Sequence, residues 1–186
     1  MASSPRKLIA VMLLCLVALP QCSDFRAVFN GKPGKSPDKG IKKRKKHPSG
    51  YARGKAAGKF IWPFDGPVNS PYGQRNGRPH DGIDIGGDEG DPIVAAASGT
   101  VVYEGKLGGY GNLIVIKHDD GYFTAYAHND KNLVDEGDRV QQGQRIAKMG
   151  STGNASGDHL HFEIRDENGT YDPEDFLPER RYTSNK

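Results

Sequence analysis

Four of the six histidines in this 186-residue chain, together with one aspartate, fall in three short clusters: His80-Asp81-Gly82-Ile83-Asp84, Tyr126-Ala127-His128 and His159-Leu160-His161. Imidazole and carboxylate are ligands that zinc takes in catalytic sites, where three protein donors at about 2.0–2.2 Å leave a fourth position for water. Imidazole is also the side chain that gains and loses a proton near neutrality. The clusters read as a metal-dependent hydrolytic site, in which zinc supplies Lewis acidity to a carbonyl and acidifies a water.

Certain elements must bring these residues together. In a straight strand His80 and Asp84 would lie about 13 Å apart, so the backbone has to bend between them, and Gly82 is the residue expected to permit the bend. His159 and His161 are two positions apart, which puts both on one face of a strand with Leu160 turned to the core. Short runs rich in Val, Ile and Tyr and broken by Gly, Asp or Asn predict strands at Thr100–Tyr103, Leu113–His118, Tyr122–Ala127, Arg145–Met149 and His159–Ile164. Asp119-Asp120-Gly121 tolerates positive φ, so Leu113–Ala127 is expected as a hairpin that carries His128 to a strand end. His118, just before that turn, reads as a turn residue rather than a ligand. No stretch sustains an apolar helical stripe, so helix should be minor. The segments from Gly90 and from Glu136 look like the compact turns of barrel-sandwich domains. The expected fold class is mainly β: an antiparallel, barrel-sandwich-like sheet domain with an open active-site groove.

The chain divides sharply by charge. Residues 1–59 carry 14 Lys and Arg against 2 Asp and Glu, whereas residues 60–186 carry 12 against 21. Arg6 and Lys7 precede the apolar run Leu8–Leu19, the layout of a signal segment and short for a membrane span. Residues 1–22 are therefore expected to direct export, 23–59 to form a disordered basic linker, 60–180 to fold, and 181–186 to form a tail. The run Lys42-Lys43-Arg44-Lys45-Lys46 suits an anionic membrane surface or a cell-wall polymer in an exported protein; a linker with no specific partner is the alternative. No nucleic-acid partner and a monomeric state are expected. Both cysteines, Cys15 and Cys22, precede the domain, so no disulfide staples it. Cys22 is either the lipidated first residue of a lipoprotein, or incidental to an ordinary cleavage site or to a segment retained as a membrane anchor, and Leu19-Pro20-Gln21 departs from the small-residue pattern of the first.

The three clusters resemble those of the lysostaphin-like zinc endopeptidases, secreted peptidoglycan hydrolases that include LytM-type and β-lytic enzymes. His80-Asp81-Gly82-Ile83-Asp84 matches the family's His-x-x-x-Asp, and His159-Leu160-His161 its His-x-His. Ser70-Pro71-Tyr72-Gly73-Gln74-Arg75 and Gly150-Ser151-Thr152-Gly153 match the approaches to them, and the order fits, with His128 following Asp84 by 44 positions and His159 following His128 by 31. The resemblance implies Zn2+ as cofactor, His80, Asp84 and His161 as its ligands, and His128 and His159 as the catalytic pair. Which imidazole takes the water's proton and which steadies the oxyanion or protonates the leaving amine stays open. Arg75 either binds a substrate carboxylate or the oxyanion, or is a surface arginine.

The implied function is a zinc metalloendopeptidase of the periplasm or cell envelope, cutting peptide cross-links or stem peptides of bacterial peptidoglycan. A catalytically silent, peptidoglycan-binding activator of other wall hydrolases is the alternative. A lipoyl- or biotinyl-type carrier, suggested by Ala147-Lys148-Met149, has no use for four clustered histidines.

Overall fold

The computed structural model describes residues 58–180 apart from residue 76, and of Arg75 only the backbone. The signal-like segment 1–22, the basic linker up to residue 57 and the tail 181–186 lie outside the described residues.

Thirteen strands and two 3-10 turns of three residues each make up the regular structure, so the described chain is almost wholly β, as expected. In chain order the strands are β1 (Val68–Ser70), β2 (Gly73–Arg75), β3 (Arg78–His80), β4 (Ile83–Gly86), β5 (Pro92–Val94), β6 (Gly99–Leu107), β7 (Gly111–Lys117), β8 (Phe123–Asn129), β9 (Lys131–Asn132), β10 (Arg139–Val140), β11 (Arg145–Lys148), β12 (His159–Asp166) and β13 (Gly169–Tyr171). All pairs are antiparallel. The large sheet runs β1-β4-β12-β8-β7-β6-β10 with β13 also on β12, while β5-β11-β9 form a small sheet and β2-β3 a hairpin. No described pair joins β1 to β10, so the sheet is open and not a closed barrel.

The two Gly-rich segments that look alike in sequence hydrogen-bond to one another. Ala95 N–H donates to Gln144, Gly143 N–H to Ala95, and Val101 N–H to Asp138, each across 2.8–2.9 Å. The β7–β8 hairpin turns where Asp119-Asp120-Gly121 predicts, with Gly121 at φ +87°.

Strand periodicity sorts side chains onto two buried faces. Ile83, Ile85, Leu160, Phe162, Ile114, Ile116 and Tyr126 join the main core, and Leu113, Val115, Ala125 and Ala127 form a second cluster with Tyr103. Tyr126 is fully buried and centres a polar thread in the main core: its hydroxyl accepts from Ala96 N–H (2.8 Å) and is hydrogen-bonded to Thr124 Oγ1 (2.9 Å). His118 continues the thread, bonded to Thr124 through Nε2 and to the Ser98 carbonyl through Nδ1, each at 2.9 Å. Burial drives its pKa below the ordinary histidine value, so it sits there neutral. It caps the turn, as its sequence position suggests, and anchors the core as well.

Candidate metal centre

Register places the first two donors. Asp84 on β4 stands opposite His161 on β12, which in turn stands opposite Ala127 on β8. Paired residues share a face, so carboxylate and imidazole emerge side by side next to a methyl group instead of a bulky side chain. His161 Nδ1 lies 2.9 Å from Asp84 Oδ1. The β2–β3 hairpin swings His80 in beside them, its Nε2 3.0 Å from Asp84 Oδ1 and 3.2 Å from His161 Nδ1.

The chain bends between β3 and β4, but glycine is there for a different reason from the one the sequence suggests. Gly82 is not among the positive-φ residues. A Cβ at this position would lie 2.3 Å from the Phe162 carbonyl oxygen and 2.9 Å from Glu163 Cγ. Close approach to β12, not backbone freedom, demands the glycine.

The donor set fits a zinc ion. His80 Nδ1 is 2.8 Å from the Pro71 carbonyl, which can only accept, so the ring's proton sits on Nδ1 and Nε2 is bare. The other ring nitrogen of His161, Nε2, faces Glu163 Oε1 at 3.1 Å and donates to it, leaving Nδ1 for the centre. Two imidazole lone pairs 3.2 Å apart beside a carboxylate oxygen repel unless a proton or a metal ion sits among them. Donors around a tetrahedral zinc are about 3.3 Å apart, close to these spacings. All three residues are buried.

Electrostatics agree with that chemistry. Burial pushes the Asp84 carboxyl up, but hydrogen bonds and charge from His161 and His80 outweigh it and hold it well below the ordinary carboxylate range. Burial likewise pushes His161 down, while bonds to Asp84 and Glu163 raise it to about 9 in the metal-free chain. In that state a proton takes the cation's place.

His128 and His159 flank the three donors. Their rings lie 4.7 Å apart, and His159 Nε2 is 3.7 Å from Asp84 Oδ1. Each fixes its Nδ1 proton on a carbonyl at 2.8 Å, Thr152 for His128 and Gly157 for His159, so each has a bare Nε2 when neutral. Burial, reinforced by nearby His159, lowers His128 to about 4 despite the Thr152 bond, which keeps it a neutral proton acceptor at pH 7. Its backbone is the only non-glycine among the described residues with positive φ, at +65°. Three steps along β8 from Tyr126 to Asn129 face two along β7 from Ile114 to Asn112, so a β-bulge falls here. Regular alternation would send His128 to the core face with Tyr126; the bulge returns it to the cleft.

These residues line an open cleft of about 550 Å³, walled also by Asn69 and Ser70 on one side and by Tyr110, Asn154 and Asp158. The two Gly-rich walls meet where Gly111 and Gly153, both at positive φ, leave no room for a Cβ on either. The structure thus brings His80, Asp84, His128, His159 and His161 together. The side chain of Arg75 lies outside the described residues. Glu163 and Tyr110 escaped the sequence reading, although the alternation His159-x-His161-x-Glu163 puts Glu163 on the site face.

Comparison with known proteins places this architecture. Lipoprotein NlpD of Yersinia enterocolitica is 56% identical over 98 residues, 52% of this chain and 100% of that protein. Murein hydrolase activator NlpD of Salmonella dublin is 57% identical over 100 residues, 53% of this chain but 26% of that protein, so the chain spans about a quarter of its length. A crystal structure of a zinc-containing peptidase from Vibrio cholerae is similar at 34% identity and a TM-score of 0.59, covering 65% of this chain and 40% of that one. The sequence model of Peptidase family M23 matches residues 78–173, a span that holds all five clustered residues and more than half of the chain, and the chain belongs to that family.

Proposed function

We propose that this chain works on bacterial peptidoglycan in the cell envelope, as a zinc metalloendopeptidase that cuts peptide cross-links or stem peptides. The observation that carries the reading is the convergence of three donor atoms within 3.2 Å of one another, with the imidazoles of His128 and His159 beside them. His80, Asp84 and His161 would hold the zinc, which supplies Lewis acidity toward the scissile carbonyl and an acidified water. His128, neutral and fixed by Thr152, is suited to take a proton at Nε2, and His159, at the mouth of the cleft, to steady the oxyanion or hand a proton to the leaving amine. The lipoprotein name of the Yersinia relative supports an envelope location and a lipidated Cys22.

The names of the relatives favour a second reading, and on identity they weigh more heavily than the solved peptidase does. The Salmonella relative, at 57%, is named a murein hydrolase activator, against 34% for the zinc-containing peptidase. In this reading the domain binds peptidoglycan or a partner hydrolase and switches it on without turnover of its own. One experiment separates the two. The purified full chain, with and without chelator, is incubated with peptidoglycan sacculi, and the soluble fragments are analysed by mass. New amino termini that disappear on chelation support the peptidase. Fragments released only when a separate murein hydrolase is added support the activator.

A further inference from the structure

Glu163 is a buried carboxylate, 1% exposed, to which the reaction outlined above gives no task. Its environment is built. Oε1 accepts from His161 Nε2 (3.1 Å) and from the Tyr110 hydroxyl (2.8 Å), while Oε2 accepts from Arg165 at 2.8 Å. The absent Cβ of Gly82 makes room for its Cγ. The three partners come from the 3-10 turn Gly108–Tyr110 and from β12 itself, so the carboxylate is gripped from two directions. An ionised group taken out of water is costly unless it is paired and hydrogen-bonded, and both of its oxygens are used.

We propose that Glu163 is a positioning residue: it accepts the hydrogen bond of His161 Nε2–H, and so turns Nδ1 of that ring toward Asp84 and His80. An imidazole alone has two tautomers and can rotate about its Cβ–Cγ bond; a carboxylate behind it selects one of each and makes the ligating nitrogen more basic. Arg165 holds Glu163 in that orientation through Oε2, and Tyr110 ties this network to the wall of the cleft. The inference rests on the metal-site reading of His80, Asp84 and His161, and not on whether the site turns over substrate.

The test uses the full chain and zinc alone. Zinc affinity is measured by competition with a chromophoric chelator for wild type and Glu163→Gln, which keeps the shape and removes the charge. The zinc-induced rise in thermal midpoint and the exchange of the His161 Nε2 proton, by NMR, are measured alongside. The expected result is zinc binding weakened about 10- to 100-fold in Glu163→Gln, with a smaller zinc-induced rise in midpoint and a proton protected in wild type but not in the variant. A purely structural role would lower the midpoints with and without zinc equally and leave the affinity alone. Affinity within about twofold of wild type, or a freely exchanging Nε2 proton in wild type, overturns the proposal. The proton measurement on wild type decides the matter even where the variant does not fold. Should wild type bind no zinc, the metal reading fails, and the protected proton still judges the positioning role separately.

Discussion

Gly82→Ala tests the packing that makes the site. The added Cβ would sit 2.3 Å from the Phe162 carbonyl oxygen and 2.9 Å from Glu163 Cγ. The first contact is about 1 Å shorter than van der Waals packing tolerates. Glu163 is hydrogen-bonded on both oxygens, and the Phe162 carbonyl belongs to a strand paired on both edges, so neither yields cheaply. Overpacking of this kind costs about 1–3 kcal/mol, or roughly 4–12 °C in melting temperature for a domain of this size. The strain falls where it matters, because Ile83 pairs with Phe162 and Asp84 with His161 in the adjoining rungs. Moving β4 from β12 separates two metal donors, and zinc binding should weaken by about tenfold or more. Thermal melts of the metal-free chain and chelator competition for zinc measure the two effects. Gly157→Ala is the control, since a Cβ there meets nothing within 4 Å. If the two variants melt together and bind zinc alike, the close approach of β4 to β12 is not what Gly82 provides.

The five clustered residues should separate by metal content. His161→Ala and Asp84→Ala are expected to lose stoichiometric zinc by elemental analysis, whereas His128→Ala and His159→Ala keep it and lose any turnover; equal zinc loss in all four would refute the division. Metal-free stability should peak near pH 6.5. Burial lowers His128 from 6.5 to about 4, so the unfolded chain binds more protons in that window and stability falls by about 3 kcal/mol as pH drops through it. Burial also opposes the charge on His161, but Asp84 and Glu163 raise it to about 9, and that contribution, complete below pH 6.5, is lost as pH rises through 9. Denaturant melts across pH 4–10 should show both limbs, and zinc should abolish the alkaline one by replacing the His161 proton; a flat metal-free profile above pH 6.5 contradicts the account. In the main core, Tyr126→Phe leaves the Ala96 N–H without its acceptor and removes the bond to Thr124, a loss of about 1–3 kcal/mol readable by urea unfolding.

Much of the domain was legible because its signals are local. Each of the five expected strands contains or overlaps an observed one, and the Asp-Asp-Gly turn closes the expected hairpin, since alternation and turn chemistry act over a few residues. The short strands β1, β2, β3, β5, β9, β10 and β13 were not legible: two or three residues carry too little pattern, and they exist because a neighbouring edge offers hydrogen bonds.

The sequence by itself determined the residue types of the centre and the shared face of His159 and His161, because side-chain alternation along a strand is a property of the backbone. Only the tertiary structure decided the rest. Cross-strand register sets Asp84 against His161, and close approach to β12 explains Gly82. The bulge at φ +65° turns His128 from the core face, where alternation would leave it, into the cleft. Glu163 has meaning only once His161 stands in front of it. Each of these depends on which strand lies beside which, and that is fixed by pairing between residues far apart in the chain.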